Sequence, residues 1–268
     1  MTIDTRLVMK LVINDNLKKF FSSSKTKLFS EIMSLAGESF RSLDGRKTKR
    51  IIIGNESYFI KQHVGVGYKE IIKNIFQLRL PIISAKNEWE ALNKCQELKI
   101  KAPKPLAFGQ CGLNPAHLKS FIIMEELQKM TSLEDVCRDW TKSPPPFAFK
   151  HKLIKEVAMM ARCMHIHGMN HRDFYICHFF LKMTSLDDLQ LYLIDWHRAE
   201  IRRKTKERWI VKDLAGLFFS CKEIGLTQRD WYRFMTIYSN KSLRETLKDN
   251  DFWQKVKIRG SLYRDRNK

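Results

Sequence analysis

The chain has 268 residues, 44% hydrophobic and 11% aromatic, too many for one small core and apolar enough to pack, so disorder over most of its length is excluded and two packed lobes are expected. Lys and Arg number 49 against 29 Asp and Glu, a formal charge of +20, so the surface should draw in polyanions such as nucleic acid, anionic membrane or phosphorylated substrates. The six cysteines are scattered without a C-x-x-C pair, as reduced thiols in a cytoplasm are. No charge-free run approaches the roughly 18 apolar residues of a spanning helix, and a secreted or membrane-spanning protein is not expected.

Residues 1–27 read as an N-terminal arm or an extra edge strand, with Ser22-Ser23-Ser24 as a linker. Three strand-like runs follow, Ser39 to Leu43, Lys47 to Ile53 and Tyr58 to Gln62, separated by the hairpin signals Asp44-Gly45 and Gly54-Asn55. Gly67 to Leu80 carries a helical apolar face with Lys69 and Lys73 beside it, ended by Pro81. A second helix starts after Ser84, with Trp89, Leu92 and Cys95 on one stripe. Strands near Leu106 to Gln110 and Ser120 to Met124 complete a mostly β lobe over 28–127. From Leu133 the helical period takes over, making 128–268 a mostly α lobe: Leu153, Val157, Ala161 and Met164 share a face that Gly168 terminates, and Trp231, Phe234 and Tyr238 mark another helix. A short basic tail runs from Lys255 to Lys268.

The densest chemical signal is Met164-His165-x-x-Gly168-x-x-His171-Arg172-Asp173, a helix end leading into a loop. Phosphoryl transfer proceeds through a loose transition state, which asks the protein to position and polarise an attacking hydroxyl. Asp173 suits the role of base for that proton, with His171 and Arg172 bracing the backbone. Lys61 ends the third strand, where an amine can reach the α- and β-phosphates of a nucleotide. Glu88, on the helix that follows, is its expected ion-pair partner, and Glu90 is the competitor. Leu191-Tyr192-Leu193-Ile194-Asp195 is an apolar strand ending in an acid, and Mg²⁺ takes carboxylate oxygen, so Asp195 is the expected metal ligand. Asp213 begins a helix in this reading and supports the catalytic loop by accepting backbone N–H bonds.

These residues, in this order, resemble the protein-kinase-like superfamily, and the finer match is to the bacterial lipopolysaccharide core heptose (I) kinase family. The segments that carry it include Gly37-Glu38-Ser39-Phe40-Arg41, Asn87-Glu88-Trp89, Gly112-Leu113-Asn114-Pro115, Asn170-His171-Arg172-Asp173-x-Tyr175-Ile176-Cys177-His178-Phe179 and Ile194-Asp195-x-His197-Arg198-Ala199. The resemblance implies an α+β, bilobal protein-kinase-like fold that transfers the ATP γ-phosphate to a hydroxyl of the first heptose of the inner core, at the cytoplasmic face of the inner membrane. It maps the catalytic base onto Asp173, nucleotide binding onto Lys61, Glu88, Gly45, Glu125 and Leu127, and metal binding onto Asp195 and His178. The implied cofactors are ATP and Mg²⁺, with Mn²⁺ as an alternative. The implied partners are the inner-core and lipid A glycolipid, an anionic membrane surface met peripherally, where Lys69 and Lys73 could touch, and acyl carrier protein, but not nucleic acid.

Against ordinary protein kinases the chain departs in several places. No G-x-G-x-x-G precedes Lys61, so the Asp44-Gly45 hairpin is left to cover the phosphates. His178 stands five positions after Asp173, where protein kinases carry a metal-binding asparagine; it would act through water, prefer Mn²⁺ or donate to phosphate. Asp195-Trp196-His197 replaces D-F-G and no A-P-E follows, so regulation by activation-loop phosphorylation is not expected. His165, His167 and His171 read as structural rather than as zinc ligands. The competing readings are a kinase of the Kdo sugar of the same glycolipid, a catalytically inactive kinase-fold binding protein, and a nucleic-acid-binding module recruited by charge.

Overall fold

The computed structural model describes residues 9–43, 45–65, 67–68, 83–185, 187–248 and 250–263. The first eight residues, Asp44 and almost all of the helix expected over Gly67 to Leu80, with Lys69 and Lys73, lie outside them. Two units divide the chain, Met1–Asn93 with Pro103–Leu127, and Lys94–Ala102 with Gln128–Lys268.

Alternating side chains make a sheet of the first unit. Strands β1 (Met9–Ile13), β2 (Glu38–Leu43), β3 (Arg46–Ile53), β4 (Glu56–His63), β5 (Pro105–Cys111) and β6 (Lys119–Glu125) pair antiparallel in the order β1-β5-β6-β4-β3-β2. Gly45 and Gly54 adopt φ of 74° and 64° at the two hairpin tips, conformations open to glycine without steric cost. One sheet face buries Ile51, Tyr58, Ile60, Phe121 and Ile123 against Leu28, Phe29 and Ile32 of helix α2 (Lys25–Ser34), which follows the short α1 (Asp15–Lys18). Phe29 and Phe121 meet with ring centroids 5.4 Å apart, and truncating Ile32 here would cost about 2–5 kcal/mol. The Ser22–Ser24 stretch is not a free linker: Ser24 is the N-cap of α2, and the amide and hydroxyl of Ser22 donate to the Glu31 carboxylate at 3.0 and 2.7 Å. Helix α3 (Lys86–Glu97) opens with the Lys86 amide donating to Ser84 Oγ at 3.2 Å, and its Trp89 stacks on Phe108.

The second unit is mostly helical. After β7 (Thr131–Ser132) and α4 (Leu133–Val136), α5 (Phe147–Ile166) buries Leu153, Val157, Ala161 and Met164, and Gly168, at φ 80°, turns the chain out of it. β8 (Met169–Asn170) pairs with β11 (Glu200–Ile201), while β9 (Phe179–Lys182) lies between β10 (Gln190–Leu193) and β7. These two small sheets bracket the H-R-D loop and the Asp195 turn. Helices α6 (Glu207–Ser220), α7 (Gln228–Ser239), α8 (Leu243–Lys248) and α9 (Asn250–Ser261) complete the unit. Much of the basic tail is therefore helix: Trp253 and Val256 of α9 are buried, and a Cβ at Gly260 would meet Ala215 O at 3.0 Å, so only glycine allows this approach. Among the described residues no helix is long and apolar enough to cross a membrane.

Candidate active site

The loop after β8 is tied to the interior by one buried carboxylate. Asp213 Oδ2 accepts the His171 amide at 2.6 Å and Oδ1 accepts the Arg172 amide at 2.8 Å. Asp213 stands midway along α6, not at its start as the sequence suggested, because the helix begins at Glu207 and runs under the loop. His165 Nε2 lies 3.4 Å from Asp213 Oδ2, and its Nδ1 is 2.9 Å from the Tyr238 hydroxyl, so the clamp extends through α5 to α7. His171 is fully buried and burial lowers its pKa, keeping the imidazole neutral; its Nε2 donates to the Ile194 carbonyl at 2.9 Å. His165, His167 and His171 thus each have a structural partner, His167 through the Cys163 carbonyl at 2.8 Å.

Asp173 follows in the same loop, and Arg198 Nη1 donates to its Oδ1 at 2.6 Å. The Arg172 side chain turns away to Glu200 Oε1 at 3.1 Å, and Arg202 pairs with the other oxygen of Glu200. His178, at the end of a 3-10 turn over Ile176–His178, donates from Nδ1 to the Asp173 carbonyl at 2.6 Å, and its Nε2 lies 3.9 Å from Asp195 Oδ2. Burial opposes charge on this imidazole, but the Cys177 side chain, the Asp173 carbonyl and the Asp195 carboxylate outweigh it and push the pKa up to about 9. Asp195 sits two residues beyond β10 rather than at a strand end, because its left-handed backbone, φ 66°, turns the chain into the 3-10 segment Trp196–Arg198. His197 Nδ1 donates to Asp195 Oδ1 at 2.6 Å.

Among the described residues no three His, Cys, Asp or Glu side chains converge on a metal position. Asp195 fits Mg²⁺ carried on nucleotide phosphates, since that ion takes one or two protein carboxylates and fills its shell with water and phosphate oxygen. His178, whose Nδ1 donates to the Asp173 carbonyl and whose pKa is pushed up to about 9, is a donor at neutral pH and fits phosphate oxygen better than a metal.

In the first unit Lys61, on β4, donates from Nζ to Glu88 Oε1 at 2.6 Å, and Glu88 is only 2% exposed. Glu90 faces Lys86 instead, at 3.6 Å. Gly45 accepts the Val64 amide at its carbonyl, 2.9 Å away. Glu125 closes β6 and its carboxylate accepts the Lys104 amide at 2.9 Å; Leu127, two residues on, is half-buried.

Comparison with known proteins adds what geometry cannot. Residues 30–238 match the lipopolysaccharide kinase (Kdo/WaaP) family. This chain belongs to that family. Among its relatives in the Kdo/WaaP kinase family, the lipopolysaccharide core heptose(I) kinase WaaP of Escherichia coli strain K12 is 47% identical over 222 residues, 82% of this chain and 84% of that protein. The lipopolysaccharide core heptose(I) kinase WaaP of Pseudomonas aeruginosa strain PAO1 is 41% identical over 244 residues, 90% of each. A solved structure of WaaP in complex with acyl carrier protein superposes with a TM-score of 0.80 at 36% identity, covering 94% of this chain and 98% of that one, so the α+β kinase-like fold is shared. Sequence reasoning gave this Kdo/WaaP kinase no role for Arg198, Glu200, Arg202 or Lys212. Arg198 and Lys212 lay inside segments singled out for their neighbours Asp195 and Asp213; Glu200 and Arg202 join them through the β8–β11 pairing and one turn of α6.

Proposed function

We propose that this chain transfers the γ-phosphoryl group of ATP to a hydroxyl of the first heptose of the lipopolysaccharide inner core. The observation that carries the reading is 41–47% identity, over most of the chain, to proteins named for that activity. Asp173 takes the proton of the attacking hydroxyl, the new O–P bond forms as the bond to the β–γ bridging oxygen breaks, and ADP leaves. Its pairing with Arg198 keeps a positive charge where a negative one must persist, and the Asp213 clamp supports a loop held in place before substrate binds. Lys61, oriented by Glu88, is assigned to the nucleotide phosphates, with Gly45, Glu125 and Leu127 as further nucleotide contacts. Asp195 would hold the metal, and His178, a donor at neutral pH, would contact it through water or donate to phosphate. Mg²⁺ bound there would neutralise phosphate charge as it develops. Location is proposed as cytoplasmic and peripheral at the inner membrane, drawn by the +20 charge to an anionic surface. The same charge favours an acidic partner such as the acyl carrier protein bound by the structural relative.

The test is phosphate incorporation from radiolabelled ATP into heptose-containing lipopolysaccharide lacking core phosphate, with wild type, Asp173→Asn and Asp195→Ala. Label with wild type alone supports the reading and both carboxylate roles. Label only on a glycolipid ending in Kdo moves the assignment to that sugar, and none on either acceptor favours a binding protein.

A further inference from the structure

Trp209 of α6 is ringed by cations. Arg208, Arg202, Arg172 and Lys212 lie 4.9, 5.3, 5.4 and 5.7 Å from its ring centroid. Two of them have a counter-charge, because Arg172 and Arg202 share Glu200. No ion pair of Arg208 or Lys212 with a carboxylate is found among the described residues, although the Asp173 and Asp213 carboxylates attract Lys212 from further off, and the two cations stand one turn apart on the same helix, where like charges repel. Burial first, and the Arg172 and Arg198 charges second, lower the Lys212 pKa to about 8. Arg202 is lowered by burial and by Arg172 and Arg208. Two donors in the cluster, Arg172 Nε and Trp209 Nε1, are buried with no acceptor, a state that costs stability. Cations gathered at this cost, with donors left open, describe a seat for an anion.

We propose that Arg208 and Lys212, flanking Trp209, bind an anionic group of the acceptor, a carboxylate or phosphate ester, and so hold the reacting sugar at the loop that carries Asp173. Arg172 belongs to both cluster and loop, and Lys212 interacts electrostatically with both Asp173 and its partner Arg198, which sets the seat beside the loop that carries the proposed base. The inference rests on the kinase reading above and adds the residues that select its acceptor.

The probe is the deacylated, heptose-containing inner-core oligosaccharide without core phosphate, which keeps its acidic sugars and carries no acyl chains. Its binding is measured by calorimetry at low salt beside the KM values for acceptor and ATP. Arg208→Gln and Lys212→Met are each expected to weaken oligosaccharide binding about tenfold, the scale of one charge-assisted hydrogen bond. The acceptor KM should rise in parallel and the ATP KM should not move. Arg208 is exposed, so its substitution leaves folding intact and keeps the test decisive if the Lys212 variant fails to fold. Phosphatase treatment of the probe separates the two chemistries: loss of wild-type affinity identifies a phosphate ester, retained affinity a carboxylate, and both support the seat. Unchanged affinity in both variants overturns it, as does a rise confined to the ATP KM or a loss seen only with phosphatidylglycerol vesicles. If wild type binds the probe through these residues but transfers no phosphate, the seat stands and the kinase reading falls; if turnover is normal and both variants match wild type, the kinase reading stands and the seat falls.

Discussion

Arg198 donates to Asp173 across 2.6 Å, Nη1 to Oδ1, so the carboxylate placed to accept a proton carries a bound cation before any substrate arrives. Removing that cation in Arg198→Met should lower kcat by roughly 10- to 100-fold, the worth of one charge-assisted hydrogen bond at the reacting group. The KM for ATP should stay within twofold. Steady-state kinetics decide the matter, and an unchanged kcat would make the pair incidental.

Lys61 and Glu88 are buried enough for their pairing to be separated from their function. Lys61→Met leaves a buried carboxylate uncompensated and should destabilise the protein by about 3–5 kcal/mol, whereas Lys61→Met with Glu88→Leu should recover most of that loss. Neither variant should bind ATP. Denaturant unfolding beside nucleotide titration checks both halves, and ATP affinity in the double variant would exclude Lys61 from the nucleotide site.

Asp213 holds two backbone amides with one side chain, so Asp213→Ala leaves both unsatisfied in the interior. The expected loss is about 2–5 kcal/mol of stability together with a fall in kcat, because the loop carrying Asp173 loses its anchor. Asp213→Asn should lie between, since one amide oxygen replaces two carboxylate oxygens. Thermal unfolding and turnover on the same samples test it; an alanine variant with wild-type kcat would show the loop to be held elsewhere.

Lys212 should make stability depend on pH in an unusual direction. Its pKa falls from 10.5 to about 8 on folding, so between those values the unfolded chain binds a proton that the folded chain does not, and stability rises with pH across the window. Below pH 8 the cost of the buried charge is present in full. Lys212→Met should therefore have a higher Tm than wild type at pH 7, with the gain fading as pH approaches 10.5. A lower Tm for the variant at pH 7 would mean that the lysine is stabilising where it stands.

The strands of the first unit were legible because alternation and two glycine turns are local properties, and Lys61 meets Glu88 as expected, although its strand runs two residues further, to His63. Helix α2 was not: its cap is a run of serines, and its apolar residues, Leu28, Phe29 and Ile32, are too few to show a period until the sheet covers them. In the second unit Asp173, His178 and Asp195 do come together through His178, but the left-handed turn at Asp195 leaves no mark in composition. The cations around Trp209 were invisible for a related reason. Arg172 and Arg202 are distant in sequence from each other and gain a common carboxylate only when β11 pairs with β8.

That carboxylate, Glu200, has a consequence for control. In kinases switched by modification, an arginine of the catalytic loop waits for a phosphate on a neighbouring segment, and the loop is ordered when the phosphate arrives. Here Arg172 already has its anion, written into the chain and untouched by any phosphatase. The loop arginine is therefore paired without a phosphate on a neighbouring segment, and its order does not depend on that kind of modification.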